Sequence, residues 1–130
     1  AGILAIELFV TKDERVIVNE LAPRPHNSGH YTIEACSFDQ FDAHIRGIAG
    51  WPLEQPELLK PAVMVNVLGQ HVAPTRALIA EHPEWSMHDY CKAEVRHDRK
   101  MGHITVLTND TKQTVADLER TGCWDDLKKI

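Results

Sequence analysis

Few stretches restrict a fold as much as Val16-Ile-Val-Asn-Glu-Leu-Ala-Pro-Arg-Pro-His-Asn-Ser-Gly-His30, where a β-branched run turns acidic at Glu20 and then fills with prolines and polar side chains. Pro23 and Pro25 fix φ and push the residues before them towards extended backbone, so Ala22 to Pro25 is expected to be a stiff extended loop rather than a helix. The polar groups beyond it are then held in fixed directions.

Around that loop the sequence punctuates itself clearly. Residues 3 to 10 and 15 to 18, rich in Ile, Leu, Val and Phe and separated by Thr11-Lys-Asp-Glu14, read as a β-hairpin. Centred on residues 12 and 13, the hairpin sets position 7 opposite position 18, with Glu20 one diagonal away on the same face. Glu7 and Glu20 then share a face. Like charges so placed repel unless a cation or water lies between them, and a solvated sheet face is the plain alternative. Ser37 is the expected cap of a helix carrying Phe38, Phe41, Ile45 and Ile48, stopped by Gly50 and Pro52. His44 on that helix reads as structural. Trp51 to Pro61, with three prolines and no period, reads as a linker at a domain boundary.

Beyond the linker, Ala62 to Leu68 is expected to be a strand and Ala73 to His82 a short helix. Ser86 to Val95 and His103 to Thr108 read as strands joined by the basic turn Arg96-His-Asp-Arg-Lys-Met-Gly102, and a last helix begins at a cap on Asn109 or Asp110. The fold class is therefore α+β: an antiparallel hairpin and helix over residues 1–52, then a small α/β sandwich-like domain over 53–130.

Composition excludes more than it assigns. The net charge of −5 argues against nucleic acid as a partner, and no apolar run approaches the ~20 residues of a membrane span. Cys36, Cys91 and Cys123 are odd in number and lack CxxC spacing, which fits a reducing, cytoplasmic setting. No P-loop, GxGxxG or GxSxG pattern is present. His26 and His30 are spaced i, i+4, but Pro25 and Gly29 argue against the helix that would make them a zinc pair. Ala1-Gly2 leads directly into strand, with no initiator Met, and so reads as a piece cut from a longer protein.

Three groups could carry chemistry. Glu7 and Glu20 suit a hard divalent cation that bridges phosphates. Arg24, His26, Asn27, Ser28 and His30 offer donors to phosphate, ribose or carboxylate. Arg96, Arg99 and Lys100 form a local positive patch, or simply a solvated turn.

The residues Glu-Leu-Phe-Val of the first strand and Val-Asn-Glu-Leu-Ala-Pro-Arg-Pro-His-Asn-Ser-Gly-His-Tyr-Thr-Ile-Glu-Ala-Cys resemble the end of the ATP-grasp domain of the carboxyaminoimidazole ribonucleotide synthetase family, the ATPase subunit of phosphoribosylaminoimidazole carboxylase. Glu94-Val-Arg-His-Asp-Arg-Lys-Met-Gly-His-Ile-Thr-Val106 resembles the same family's C-terminal domain. The resemblance covers nearly the whole chain. It implies a purine-biosynthesis ligase in which ATP phosphorylates bicarbonate to carboxyphosphate and aminoimidazole ribonucleotide captures the carboxyl, releasing ADP and phosphate. It also implies Mg2+ on Glu7 and Glu20, nucleotide facing Asn19 and Glu20, and Arg24 steadying the transferred phosphoryl group. His26, Asn27 and Ser28 would border the ribonucleotide and bicarbonate, and Arg99 and Lys100 would approach the ribonucleotide phosphate.

An amino-terminal part of the same enzyme would supply the lid and the nucleotide-holding lysines, and a homodimer is a possible assembly; the piece alone is expected to be inactive. Departures stand out in both parts: the further metal-ligating Asn that many ATP-grasp enzymes place two residues after the second Glu is Ala22 here, and in the C-terminal domain the usual Tyr-Gly-Lys is Tyr90-Cys91-Lys92 and the usual Pro-Gly is His97-Asp98. The alternatives are another ATP-grasp carboxylase or transformylase, and a non-catalytic binding module retaining an ATP-grasp remnant.

Overall fold

A computed structural model describes residues 1–125, which form two compact units, Ala1–Leu59 and the part of the chain from Lys60 onward. Each unit has its own antiparallel sheet, so the α+β class read from the sequence is the class observed.

The first unit opens with β1 (Ala5–Val10) and β2 (Val16–Ala22) as a two-stranded sheet. The hairpin is centred on Asp13 rather than between residues 12 and 13, because Glu14 takes the left-handed conformation (φ 61°) and Thr11 N–H closes the loop onto Arg15 O at 2.9 Å. A second shift follows further along. Leu8 pairs with Val18 but Glu7 pairs with Glu20, so Asn19 is the extra residue of a β-bulge. The expected pairing of position 7 with position 18 is thus corrected by two residues.

After a 3-10 turn at Asn27–Gly29 come two helices, α1 (Thr32–Ala35) and α2 (Gln40–Ala49). Ser37 does not cap α2 as expected. Asp39 does, its Oδ1 accepting from Phe41 N–H at 2.7 Å and Asp42 N–H at 2.9 Å. Ser37 is engaged elsewhere: its hydroxyl accepts from Glu57 N–H, its own N–H donates to Glu57 O, and Leu59 N–H donates to Ala35 O. Those bonds lay the linker back along residues 35–37. Gly50 ends α2 in the left-handed conformation, and its open surroundings show that the glycine serves φ rather than packing. His44 is structural, as its place on α2 implied: Nδ1 accepts from Ile3 N–H at 3.0 Å.

The second unit is a three-stranded sheet in the order β3 (Ala62–Leu68), β5 (Lys100–Leu107), β4 (Ser86–Asp89), with α3 (Val72–Leu78) and α4 (Thr111–Arg120). The central strand β5 is buried almost throughout, and Ile104 on it is fully buried among Val67, Trp85, Leu118 and Trp124. Burying each such aliphatic side chain contributes roughly 1.5–3 kcal/mol. Trp124 also donates its indole N–H to Asn66 O at 3.0 Å, which joins the chain after α4 to β3. Asp110 caps α4 through Gln113 N–H, as expected. Among the described residues no helix is long and apolar enough to cross a membrane.

The strand expected over Ser86 to Val95 stops at Asp89, and β5 starts at Lys100 rather than at His103. The reason is backbone conformation at the two departures from the family pattern. Cys91 (φ 51°) and Asp98 (φ 59°) both stand in the left-handed region, where glycine is favoured and a Cβ costs energy. Each is held by specific bonds. Asp98 receives two from one side chain, since its N–H donates to Gln70 Oε1 and its Oδ1 accepts from Gln70 Nε2. Cys91 N–H donates to Asp89 Oδ1 at 2.8 Å. The Arg76 guanidinium bonded to Asp89, with that N–H in support, holds the Asp89 carboxyl below the usual carboxylate range.

Candidate active site on the hairpin and its following loop

The bulge decides the geometry of the site. With Asn19 inserted, Glu7 and Glu20 stand directly opposite each other instead of on a diagonal, and Asn19 Nδ2 donates to Glu7 Oε2 at 2.6 Å. The three side chains therefore cluster at one end of the hairpin. Among the described residues no lysine or arginine pairs with either glutamate. Two opposed carboxylates with a side-chain amide beside them make an oxygen-rich set of the kind a hard divalent cation takes, and such an ion would relieve their repulsion.

The Pro23–Pro25 loop brings a second group to the same place. His26 is extended (φ −121°, ψ 153°) and caps the 3-10 turn, its Nδ1 accepting from Ser28 N–H at 3.4 Å with Ser28 Oγ 2.8 Å away. A ring nitrogen that accepts there leaves the proton on Nε2, which lies 3.8 Å from Glu20 Oε2. Asn27 Oδ1 is buried and has no hydrogen-bond partner, so the turn presents an unsatisfied acceptor. The Arg24 side chain is exposed and folds back to donate to Pro25 O at 3.0 Å. Glu7, Asn19, Glu20, His26 and Ser28 are thus linked through strand pairing and side-chain contacts, with Arg24 and Asn27 beside them in the chain.

Arg99 and Lys100 belong to the second unit and lie where β5 begins. Arg99 Nη1 donates to Glu94 O at 3.1 Å, and Lys100 O accepts from Lys92 Nζ. Arg96 is paired with Glu94, so it is less available to a ligand than Arg99.

Two organising residues escape a reading of the sequence. Gln70 holds the basic turn through Asp98, and Gln40 holds His26 from the first turn of α2. Nothing in the local pattern marks either, because a glutamine beside a helix or strand end ordinarily faces water.

Residues 1–41 match the ATP-grasp domain model, and residues 62–117 match the phosphoribosylaminoimidazole carboxylase C-terminal domain. The chain is thus similar to the ATP-grasp domain over its first third and to that carboxylase's C-terminal domain over much of the rest.

The relatives it matches include N5-carboxyaminoimidazole ribonucleotide synthases. The curated synthase of Staphylococcus saprophyticus is 53% identical over 87% of this chain and 30% of that protein. The crystal structure of the Staphylococcus aureus synthetase complexed with ADP superposes with a TM-score of 0.88 at 50% identity, over 92% of this chain and 33% of that one. A synthase from Aspergillus clavatus, in complex with ADP and 5-aminoimidazole ribonucleotide, gives a TM-score of 0.82 at 35% identity, over 92% and 34%. The chain spans about a third of the length of the relatives it matches.

Proposed function

We propose that this chain forms one wall of the active site of a cytoplasmic ligase that carboxylates aminoimidazole ribonucleotide with bicarbonate at the expense of ATP. The observation that carries this reading is the direct opposition of Glu7 and Glu20, with Asn19 bonded to Glu7 and His26 beside Glu20. Related chains of known structure hold ADP, and one holds the ribonucleotide as well.

Glu7 and Glu20 would hold Mg2+, which when bound supplies charge neutralisation to the phosphates. Bicarbonate oxygen attacks the γ-phosphorus and ADP leaves. Asn19 and Glu20 face the nucleotide in this reading. Arg24, exposed and bonded to Pro25 O, would steady charge on the transferred phosphoryl group. The ribonucleotide's exocyclic amine then attacks the carboxyl carbon of carboxyphosphate and phosphate departs. His26, Asn27 and Ser28 border the ribonucleotide and bicarbonate in this reading. Arg99 and Lys100 serve the ribonucleotide phosphate, residues 1–52 act as the end of the ATP-grasp domain and 53–130 as the C-terminal domain, and the working assembly is a homodimer.

The test is an acceptor panel run on the full-length product of the gene. ATP hydrolysis should depend on aminoimidazole ribonucleotide together with bicarbonate. Turnover with formate and a different ribonucleotide would instead assign a transformylase, and ATP hydrolysis with no acceptor dependence would sink the synthase reading.

A further inference from the structure

The loop that presents His26, Asn27 and Ser28 has little packing of its own, yet its backbone is fixed from outside by one buried side chain. Gln40, at the start of α2, is only 8% exposed. Its Oε1 accepts from His26 N–H at 2.9 Å and its Nε2 donates to His26 O at 2.8 Å. The side-chain amide thereby pairs with both backbone groups of one residue, as a neighbouring strand would. The second amide hydrogen points to His30 Nδ1 at 3.0 Å, so every hydrogen-bonding group of the amide used here is committed.

Gln40 is itself held in place. Its N–H donates to Thr32 Oγ1 at 3.1 Å, and that hydroxyl donates to Gly29 O at 2.6 Å. Gly29 leaves the room the amide occupies, since a Cβ there would lie 2.4 Å from Gln40 Oε1.

We infer that Gln40 is a positioning residue for the acceptor pocket: from the first turn of α2 it sets where His26, Asn27 and Ser28 stand relative to Glu20. This inference rests on the proposed function, because it takes the 26–28 turn to be the ribonucleotide side of the site. It goes further in assigning a role to a residue that touches neither substrate nor metal. The hairpin carboxylates are placed by strand pairing, not by Gln40, and this separates the two substrates. Loss of the amide should disturb ribonucleotide binding and spare the nucleotide.

The experiment measures KM for aminoimidazole ribonucleotide and for Mg-ATP, kcat and melting temperature, in the full-length gene product. Gln40→Met keeps the length of the side chain and removes every bond. Gln40→Glu keeps the acceptor for His26 N–H and removes the donors. Both should raise the ribonucleotide KM by roughly tenfold, the loss expected for removing hydrogen bonds that hold a binding group, with the Mg-ATP KM within about twofold of the parent.

A purely structural role predicts a lower melting temperature with both constants unchanged, and that result in either folded variant overturns the proposal. Equal increases in both constants overturn it too. Asn27→Ala is the separate control on the pocket: if it leaves the ribonucleotide KM unchanged, the reading of the 26–28 turn fails, whereas a raised KM there with unchanged Gln40 variants removes Gln40 alone.

Discussion

Replacing Glu20 with glutamine in the full-length protein is expected to reduce ribonucleotide-dependent ATP hydrolysis by two to three orders of magnitude, roughly the effect of several kcal/mol of lost transition-state stabilisation. The fold should survive. Glu20 is on an exposed face and opposes Glu7, so neutralising it removes a like-charge contact rather than a buried partner. Its contact with His26, at 3.8 Å, is too long for a hydrogen bond whose loss would destabilise the loop. The expected signature is an unchanged or slightly raised melting temperature with collapsed turnover, and raising the Mg2+ concentration should recover only part of the rate. Activity comparable to the parent would mean that this carboxylate holds no metal. Steady-state kinetics and thermal unfolding on the same preparation decide between these outcomes.

The second large effect belongs to the other unit and to stability. At Gly69 a Cβ would lie 1.9 Å from Arg96 O and 2.5 Å from its carbonyl carbon, and both neighbours are backbone. Gly69→Ala must therefore push the 96–99 turn away. That movement breaks the paired bonds between Gln70 and Asp98 which hold Asp98 at positive φ. A loss of about 2–4 kcal/mol is expected, as for other forced overpacking against a rigid neighbour.

Gly50→Ala is the contrast. Gly50, unlike Gly69, has a positive φ, but nothing lies within 4 Å of its Cβ position, so only the conformational cost of about 1 kcal/mol applies. Chemical denaturation of the two variants should rank them clearly. If Gly69→Ala costs no more than Gly50→Ala, the close approach of the turn to Gly69 is wrong.

The strand Ala62–Leu68, the stop at Gly50 and the cap at Asp110 are legible in the sequence because each depends on a few adjacent residues. The shared face of Glu7 and Glu20 is legible too, since alternation along paired strands is a local rule. Their direct opposition is not. It depends on the left-handed Glu14 and on the bulge at Asn19, two one-residue events that alternation does not encode.

The cap of α2 is not legible for a related reason: Ser37 and Asp39 both carry capping groups, and the choice between them is made by the linker, which returns to take the Ser37 hydroxyl. Gln40 and Gln70 lie beyond local rules altogether. Their partners are fourteen and twenty-eight residues away, and only the folded chain brings them together. At Cys91 and Asp98 the conformation is retained without glycine because side-chain and backbone bonds offset the strain.

In the proposed function, bicarbonate is activated by phosphoryl transfer beside Glu7 and Glu20. In that reaction a bicarbonate oxygen becomes bonded to phosphorus and remains there when the ribonucleotide amine takes the carboxyl carbon. The most direct measurement supplies 18O-labelled bicarbonate to the full-length protein with Mg-ATP and aminoimidazole ribonucleotide, and reads the mass of the phosphate released. One labelled oxygen per phosphate is the predicted result, and phosphate released without label during carboxylation would contradict the account.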